Sequence, residues 1–229
     1  MVRVRQIAAY VIVASAAVFL LAGCSLWTDL FGADKEETPA ELMDKGMSNL
    51  EKGRYEAATE AFQNVKDRYP YSKYAALAEL KMADALFKKK EYVAAYEAYT
   101  EFERLHPKHK EIPYALYQKG LCHFNQMSTI DRDQSHTLLA KEDFEGLIRR
   151  FPRSDYAKKA RLNIRRCLIY LAEYELYVGH YYFKMGKYQS AMVRFANIIK
   201  RYPDMGQYHE AMEYISKCKD KIAQESAED

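Results

Sequence analysis

The side chains able to do chemistry in this chain are six histidines, four cysteines and 32 carboxylates. His106 and His109 flank Pro107 and stand where both could touch a metal, but no third ligand lies nearby in the sequence. The remaining histidines are scattered along the chain: His123, His136, His180 and His209. No phosphate-binding loop, nucleophile elbow, H-E-x-x-H motif or Cys–His zinc spacing occurs. We therefore expect no catalytic site, no metal and no cofactor.

The N-terminus has the pattern of a secretory signal peptide. Arg3 and Arg5 precede an apolar run from Ile7 to Ala22. A basic start before a short apolar stretch is typical of such signals. The run is short of the ~20 apolar residues that a membrane-spanning helix needs. We predict a signal peptide over residues 1–23.

Cys24 has neighbours that indicate covalent modification. Leu21-Ala22-Gly23-Cys24 resembles the bacterial lipobox, in which the cysteine is acylated and becomes the first mature residue. Ser25 follows where an Asp would retain a lipoprotein in the inner membrane, under the enteric sorting rule that this resembles. We predict lipidation of Cys24 and a lipid anchor at the periplasmic face of the outer membrane. The alternative is a signal anchor with an incidental cysteine.

Three further cysteines remain after Cys24: Cys122, Cys167 and Cys218. The periplasm is oxidising, yet an odd number cannot all pair and none forms a close C-x-x-C motif. We expect buried small hydrophobic residues on helices, with a disulfide or a redox site as the alternative.

The charge balance excludes one class of partner. The full chain has 35 Lys and Arg against 32 Asp and Glu, and removal of the signal peptide takes away Arg3 and Arg5. A nearly neutral mature chain lacks the basic face that nucleic acid requires. We therefore predict no nucleic-acid binding and membrane attachment through the acyl chains.

A repeat runs through the chain from residue 40. Small residues occur at Gly46, Ala83 and Gly120, 37 residues apart, and again at Gly179. An alanine, an aromatic residue and a proline follow at offsets of 12, 16 and 24, except that all three come eight residues late in the third unit. These positions are Ala58, Phe62 and Pro70; Ala95, Tyr99 and Pro107; Ala140, Phe144 and Pro152; and Ala191, Phe195 and Pro203.

This pattern resembles tetratricopeptide repeats, although their period is 34. Small residues let helices A and B of one unit cross closely, the aromatic residue fills the gap to the next helix A, and the proline ends helix B. One hairpin cannot bury both of its faces, so neighbouring hairpins stack. We predict an all-α fold, a tetratricopeptide-repeat-like superhelix of stacked helix hairpins with one long central helix.

Two irregularities interrupt the repeat. An insertion around Met127 to Ser135 separates the helices of the third unit. Ser154 has the character of an N-cap, and the absence of Gly and Pro from Asp155 to Val178 predicts one helix of about thirty residues, roughly 45 Å long. A closing helix is expected from Tyr208 to Ala223, followed by a frayed polar tail.

We divide the chain accordingly into a signal peptide (1–23), a lipidated tether (24–39), an N-terminal half of three units (40–152) and a C-terminal half with the long helix and a capping helix (153–229).

The ligand-facing positions of tetratricopeptide repeats lie on helix A. Transferred by their offsets from the small residue, these positions are unusually apolar and aromatic here. An apolar groove predicts an extended ligand with hydrophobic or aromatic side chains. The alternative is that several of these residues pack between repeats. The candidate groove residues are Met43, Met47, Leu77, Asp84, Phe87, Tyr114, Tyr117 and Phe124.

A second set of motifs is more specific. In chain order they are Pro70-Tyr71-Ser72, His106-Pro107-Lys108-His109, Tyr117-x-x-Gly120-Leu121, Asp131-Arg132-Asp133-x-x-His136 and Tyr174-Glu175-x-x-Val178-x-x-Tyr181-Tyr182. Together, after a lipobox, they resemble the BamD family, lipoprotein subunits of the β-barrel assembly machinery.

The resemblance implies a non-enzymatic role in folding and inserting outer-membrane β-barrels. It implies that the C-terminal half binds a periplasmic POTRA domain of the barrel subunit, and that the N-terminal half receives the C-terminal signal of unfolded outer-membrane proteins. Arg194 falls where the family has an arginine that forms a salt bridge with the POTRA domain, although the neighbouring Val193 is apolar where relatives can carry a polar residue. Other assembly lipoproteins are further expected partners.

The competing hypothesis is a periplasmic tetratricopeptide lipoprotein that organises enzymes of cell-wall synthesis or division. It would share the lipobox and the repeats. The Asp131–His136 stretch and the long helix before Tyr174 favour the assembly role.

Overall fold

Helices joined by short connections make up residues 36–228, the part of the chain that the computed structural model describes, and no strand occurs in that range. The helices are α1 (Pro39–Glu51), α2 (Tyr55–Arg68), α3 (Ala75–Lys88), α4 (Tyr92–Leu105), α5 (Ile112–Phe124), α6 (Ser135–Arg150), α7 (Asp155–Lys184), α8 (Tyr188–Arg201) and α9 (Tyr208–Glu228). The predicted all-α fold is confirmed. The signal peptide, Cys24 and most of the tether lie outside the described residues.

The first helix begins at a capping box. The Thr38 hydroxyl accepts a hydrogen bond from the Glu41 amide at 3.2 Å, and the Glu41 carboxylate accepts one from the Thr38 amide at 2.8 Å. This reciprocal pair satisfies backbone donors that a helix start leaves open.

None of the helices within residues 36–228 is long and apolar enough to cross a membrane.

In the first, third and fourth units, the glycine of helix A lies against the aromatic ring of helix B in the same unit, a pairing that the sequence analysis did not specify. A Cβ added to Gly46 would lie 2.4 Å from the nearest atom of Phe62, and one added to Gly179 would lie 2.5 Å from Phe195. Contacts this short are not tolerated, so these two helix pairs require glycine. The same pairing joins Gly120 to Phe144 across the insertion. All three rings are fully buried.

The connection between helices A and B is a tight turn with a left-handed residue. That residue is Gly53 in the first unit and Gly186 in the fourth, both with a φ of 71°. Lys90 occupies the same place in the second unit with a φ of 68°. In the third unit this place falls at Met127, where the inserted loop between α5 and α6 begins. The insertion therefore replaces the tight turn, as its position in the sequence predicts.

Every helix B ends two residues before a proline, as predicted. The residue directly before the proline leaves the helical conformation, with φ between −126° and −135°. Its amide still donates to the carbonyl four residues earlier, as Tyr69 does to Val65 at 3.0 Å. The proline ring disfavours helical backbone at the residue before it, so the helix must stop there.

The long central helix is α7, which spans 30 residues. The Ser154 hydroxyl caps it by accepting a hydrogen bond from the Ala157 amide at 3.0 Å. Ala160 belongs to the hydrophobic cluster formed with α3 to α6, whereas Leu176 and Phe183 pack in the cluster of α8 and α9. One helix therefore contributes to two cores.

The closing helix is longer than predicted. It begins at Tyr208, as expected, but continues to Glu228 instead of ending at Ala223. The expected frayed tail is helical, with hydrogen bonds from Lys221 to Gln224 at 3.1 Å and from the Ser226 hydroxyl to the Ile222 carbonyl at 2.9 Å. Local side-chain contacts at helical spacing support such a polar end.

We expect Gly120→Ala to lower the free energy of unfolding by about 1–3 kcal/mol, because its Cβ would meet the Phe144 ring at 2.5 Å. Gly146→Ala is the matched control in α6, since its Cβ would meet only the Arg149 guanidinium at 3.8 Å. That control should gain up to about 1 kcal/mol from helix propensity. Urea unfolding followed by circular dichroism measures both. Equal stability of the two variants would contradict the packing argument.

Candidate functional site

Two adjoining cavities lie between α3 and α5, and we call them together the α3–α5 groove. The first has a volume of about 490 Å³ and the second about 410 Å³, and they share Lys81 and Tyr114. The first is lined by Lys73, Leu77, Leu80, Lys81, His109, Lys110, Glu111, Tyr114 and Tyr156. The second is lined by Leu50, Lys81, Asp84, Phe87, Lys88, Lys90, Tyr92, Tyr114 and Gln118.

A buried carboxylate fixes the floor of this groove. Asp84 Oδ1 accepts hydrogen bonds from the hydroxyls of Tyr99 and Tyr114, each at 2.7 Å, and Oδ2 accepts one from Lys81 at 2.7 Å. Asp84 is only 5% exposed. A buried carboxylate is stable when its oxygens are paired in this way. The contacts join α3, α4 and α5 through one side chain.

The two tyrosines remain protonated donors at any physiological pH. Burial raises the pKa of Tyr99 far above its ordinary value, and the Asp84 carboxylate raises it further. The same causes raise the pKa of Tyr114. A nearby negative charge and a dry environment both disfavour a phenolate. The groove floor therefore keeps its hydrogen bonds unchanged as pH varies around neutrality.

The predicted groove residues fall into three locations. Leu77, Asp84, Phe87 and Tyr114 line the α3–α5 groove. Tyr117 lines a separate cavity of about 450 Å³ beside α7, where its hydroxyl accepts a hydrogen bond from Asn163 at 3.3 Å.

The other three predicted groove residues pack between helices. Met43 is 5% exposed and lies in the cluster around Phe62, with Met47 packed against the same cluster. The Phe124 ring lies 6.2 Å from that of Phe144, between centroids. The offsets from the small residue locate helix A correctly, but neighbouring helices cover these positions.

Sequence reasoning missed about half of the residues that line the groove, among them Lys73, Lys110 and Tyr156. Lys73 and Lys110 lie just before α3 and α5, in the connections between repeats, and Tyr156 lies in the first turn of α7. The offsets from the small residue give ligand-facing positions on helix A only. They therefore say nothing of the connections between repeats or of the helix that follows the third unit. A signal was present, because Lys73 and Lys110 each lie three residues after the proline of a repeat unit.

Arg194 is held on α8 by the long helix. Its Nη1 lies 3.4 Å from both carboxylate oxygens of Glu175, and Asn197 donates to the same carboxylate at 3.3 Å. The Glu175 side chain is 12% exposed and that of Arg194 is 34% exposed. Val193 beside it is exposed at 58%. The arrangement presents an oriented cation next to an apolar side chain.

Two histidines that seemed scattered in the sequence meet across the inserted loop. His123, at the end of α5, and His136, at the start of α6, approach to 3.2 Å between their Nδ1 atoms. His123 Nε2 lies 3.9 Å from Asp143 Oδ2, and the Tyr96 hydroxyl lies 3.5 Å from Asp143 Oδ1. The inserted loop brings its two ends together. The sequence spacing of the two histidines did not predict this contact.

The charges in this cluster are shifted by burial. Burial raises the pKa of Asp143 to about 6, although the Lys119 ammonium opposes the shift. Burial also lowers the pKa of His123, with further lowering by the nearby His136 and Lys119. Oδ2 of Asp143 is buried without a hydrogen-bond partner, which explains why the charged carboxylate is disfavoured.

The described residues contain no group of three or more His, Cys, Asp and Glu side chains arranged to hold a metal ion. His106 contacts Glu79 at 2.9 Å, and His109 accepts a hydrogen bond from the Glu111 amide at 3.2 Å.

The three cysteines after Cys24 are buried and unpaired, which confirms the prediction of small hydrophobic residues. Burial raises the pKa of Cys122 and of Cys167 to about 12 and that of Cys218 above its ordinary value. Such thiols carry little thiolate at neutral pH and are poor nucleophiles.

Comparisons with known proteins give a family and several relatives. A family model described as YfiO, outer membrane lipoprotein, matches residues 35–229. A protein of Rickettsia prowazekii, named outer membrane protein assembly factor BamD, is 33% identical over 71% of this chain and 65% of its own length. The protein of the same name from Caulobacter vibrioides is 30% identical over 77% of this chain and 58% of its own. The chain thus spans less than two thirds of the length of these two relatives.

Solved structures give weaker similarities. A thermophilic TPR protein of Thermus thermophilus aligns with a TM-score of 0.44 and 16% identity, over 81% of this chain and 100% of that one. The MamA protein aligns with a TM-score of 0.42 and 17% identity, over 81% of this chain and 88% of that one.

We expect Asp143→Asn to raise the free energy of unfolding at pH 7.5 by about 2 kcal/mol. A pKa raised from 3.8 to about 6 corresponds to about 3 kcal/mol at about 1.4 kcal/mol per pKa unit, and solvent at the partly exposed side chain reduces this value. The pKa of Asp143 is raised to about 6, so its neutral form is favoured in the folded chain. The stability that this form contributes is complete below the ordinary pKa of an aspartate and is lost as pH rises through about 6. Asparagine stays neutral, so the gain should appear above pH 6 and vanish near pH 4.

Asp155→Asn is the control for this prediction. Asp155 is exposed in the first turn of α7 and pairs with Lys158, whose hydrogen bond lowers the pKa of that carboxyl. It should give no stabilisation at pH 7.5. Urea unfolding at pH 7.5 and at pH 4 measures both variants. If Asp143→Asn were less stable than the parent chain at pH 7.5, the raised pKa of Asp143 would be refuted.

Proposed function

The chain belongs to the YfiO/BamD family of outer membrane lipoproteins, and we propose that it is a non-enzymatic scaffold in the assembly of outer-membrane β-barrel proteins. The observation that carries this proposal is the family match over residues 35–229, which includes every helix from α1 to α9. Stacked helix pairs with open grooves support a binding role, because they present extended surfaces to partners.

The proposed partner of the C-terminal half is a POTRA domain of the barrel subunit. Arg194 is the proposed contact, since Glu175 and Asn197 hold its guanidinium in place while a third of it stays exposed. An oriented cation loses less conformational freedom on binding a carboxylate than a free side chain does. The exposed Val193 adds an apolar contact at the same surface.

The proposed ligand of the N-terminal half is the C-terminal signal of unfolded outer-membrane proteins. Leu77 and Tyr114 offer exposed or half-exposed apolar surface in the α3–α5 groove. A signal that ends in aromatic and apolar residues would bury its side chains against them. The proposed anchor is acylated Cys24, which would hold the chain at the periplasmic face of the outer membrane beside other assembly lipoproteins.

We expect Arg194→Glu to weaken binding of the barrel subunit's POTRA domains at least about tenfold, because a reversed charge would meet the partner's carboxylate. Lys200→Glu is the control, because Lys200 is exposed on the same helix and its replacement by glutamate changes the charge by the same amount. Calorimetry with the detergent-solubilised full chain and the purified POTRA domains measures both.

Arg194→Lys separates interface from fold, because it keeps the charge opposite Glu175. Circular dichroism must first give equal helix content for all variants. Binding that is indifferent to Arg194 would discard this contact and leave the assembly role. Absence of binding by the folded parent chain would favour the cell-wall scaffold instead.

A further inference from the structure

We propose that the α3–α5 groove selects an extended peptide segment with an acidic side chain on each side of a central aromatic or apolar residue. This inference rests on the proposed peptide-binding role of the groove and adds the charge pattern of its ligand. The inference is based on the distribution of charged side chains along the groove.

Exposed lysines stand at both ends of α3. Lys73 precedes the helix and lines the first cavity together with Lys110. Lys88 ends the helix and lines the second cavity together with Lys90. All four are exposed, and none of them forms an ion pair within residues 36–228. Each end of the groove therefore presents a pair of lysines that have no ion-pair partner within the described residues.

The middle of the groove is neutral. Lys81 is shared by both cavities, but its ammonium is paired with the buried Asp84 at 2.7 Å. Around it lie the apolar and aromatic side chains of Leu77, Tyr114 and Phe87. A ligand side chain placed here meets apolar surface, while carboxylates are favoured only towards the two ends.

Apart from Asp84, which is paired with Lys81, the acidic residue that lines the groove is Glu111, in the first cavity. It reduces the positive charge of the Lys73 end without reversing it, since Lys110 and Lys73 stand beside it. The Lys88 and Lys90 end has Asp84 as its lining acid, and Asp84 is already satisfied by three donors. The two ends therefore remain basic.

The geometry sets the spacing of the ligand's charges. Lys73 lies two residues before α3 and Lys88 is its last residue; the fifteen positions between them correspond to roughly 22 Å at 1.5 Å per residue, the rise of a helix. An extended peptide rises about 3.3 Å per residue. The two carboxylates should therefore be about six to seven residues apart, and a separation of six places both on the same face of the extended peptide. A single terminal carboxylate would satisfy only one end, so we assign the charges to acidic side chains.

The floor of the groove is set before the ligand arrives. Asp84 holds Tyr114 and Lys81 in fixed positions through hydrogen bonds of 2.7 Å, and Gln118 donates to the Tyr114 hydroxyl at 2.8 Å. Less conformational entropy is lost when a ligand meets a preorganised surface. The lysines at the ends form no ion pair, so their ammonium groups can turn towards the carboxylates; that of Lys73 would do so from its position 5.1 Å from the centre of the Tyr74 ring.

The test uses the full chain in detergent and a rhodamine-labelled, C-terminally amidated peptide with two glutamates six residues apart and a tyrosine four residues after the first, so that all three side chains share one face of the extended peptide. A second peptide carries glutamines in place of both glutamates. A third has neutral side chains and a free terminal carboxylate. Fluorescence polarisation at low salt should give binding of the first peptide at least about tenfold tighter than of the other two, with the difference falling as salt screens the charges.

Two charge-reversal variants locate the effect. Lys73→Glu with Lys110→Glu alters one end, and Lys88→Glu with Lys90→Glu alters the other. Each should weaken the diglutamate peptide about tenfold and leave the glutamine peptide unaffected. Lys200→Glu with Lys219→Glu makes the same change in charge at exposed positions on α8 and α9 and should have no effect at either salt concentration.

Equal binding of the diglutamate and glutamine peptides would overturn the charge pattern and leave an uncharged peptide groove in place. Preference for the free terminal carboxylate would overturn the assignment to side chains. Failure of all three peptides to bind would overturn both the charge pattern and the groove's peptide role, whereas the POTRA interaction would still be tested separately through Arg194.

Discussion

The fold depends on one repeated contact, in which a ring of helix B lies directly on a backbone of helix A that carries almost no side chain. Gly46 and Gly179 have no room for a Cβ beneath their rings. This close approach sets the distance between paired helices, and the distance in turn decides which neighbouring positions are covered. The lining of every groove follows from how near those two backbones come.

The second helix pair solves the same problem differently. It has Ala83 in place of glycine and Tyr99 in place of phenylalanine, and the added hydroxyl donates a hydrogen bond to Asp84, the residue after Ala83. Where the other pairs place Met47, Leu121 and His180 after the small residue, this one places a carboxylate. A polar centre therefore sits inside the α3–α5 groove, and it fixes Lys81 and Tyr114, the two side chains that both cavities share.

Much of the fold could be predicted because its causes are local in sequence. The proline stops, the Ser154 cap and the length of α7 each follow from a short stretch of residues. The site was less accessible. His123 and His136 meet only because a loop returns on itself, and burial of Met43 depends on which helix covers it. Lys73, Lys90 and Lys110 lie in connections between helices, where the repeat pattern gives no position to examine.

The long helix α7 has a consequence for how the chain unfolds. In most repeat arrays each unit touches only its neighbours, so the two ends melt almost independently. Here Cys167 lies in one hydrophobic cluster and Phe183 packs against another, on an unbroken helix. If either cluster opens, α7 loses part of its packing, and the other cluster depends on the same helix. The segment from α3 to α9 should therefore melt as one cooperative block, while α1 and α2, joined to no such helix, are free to open first.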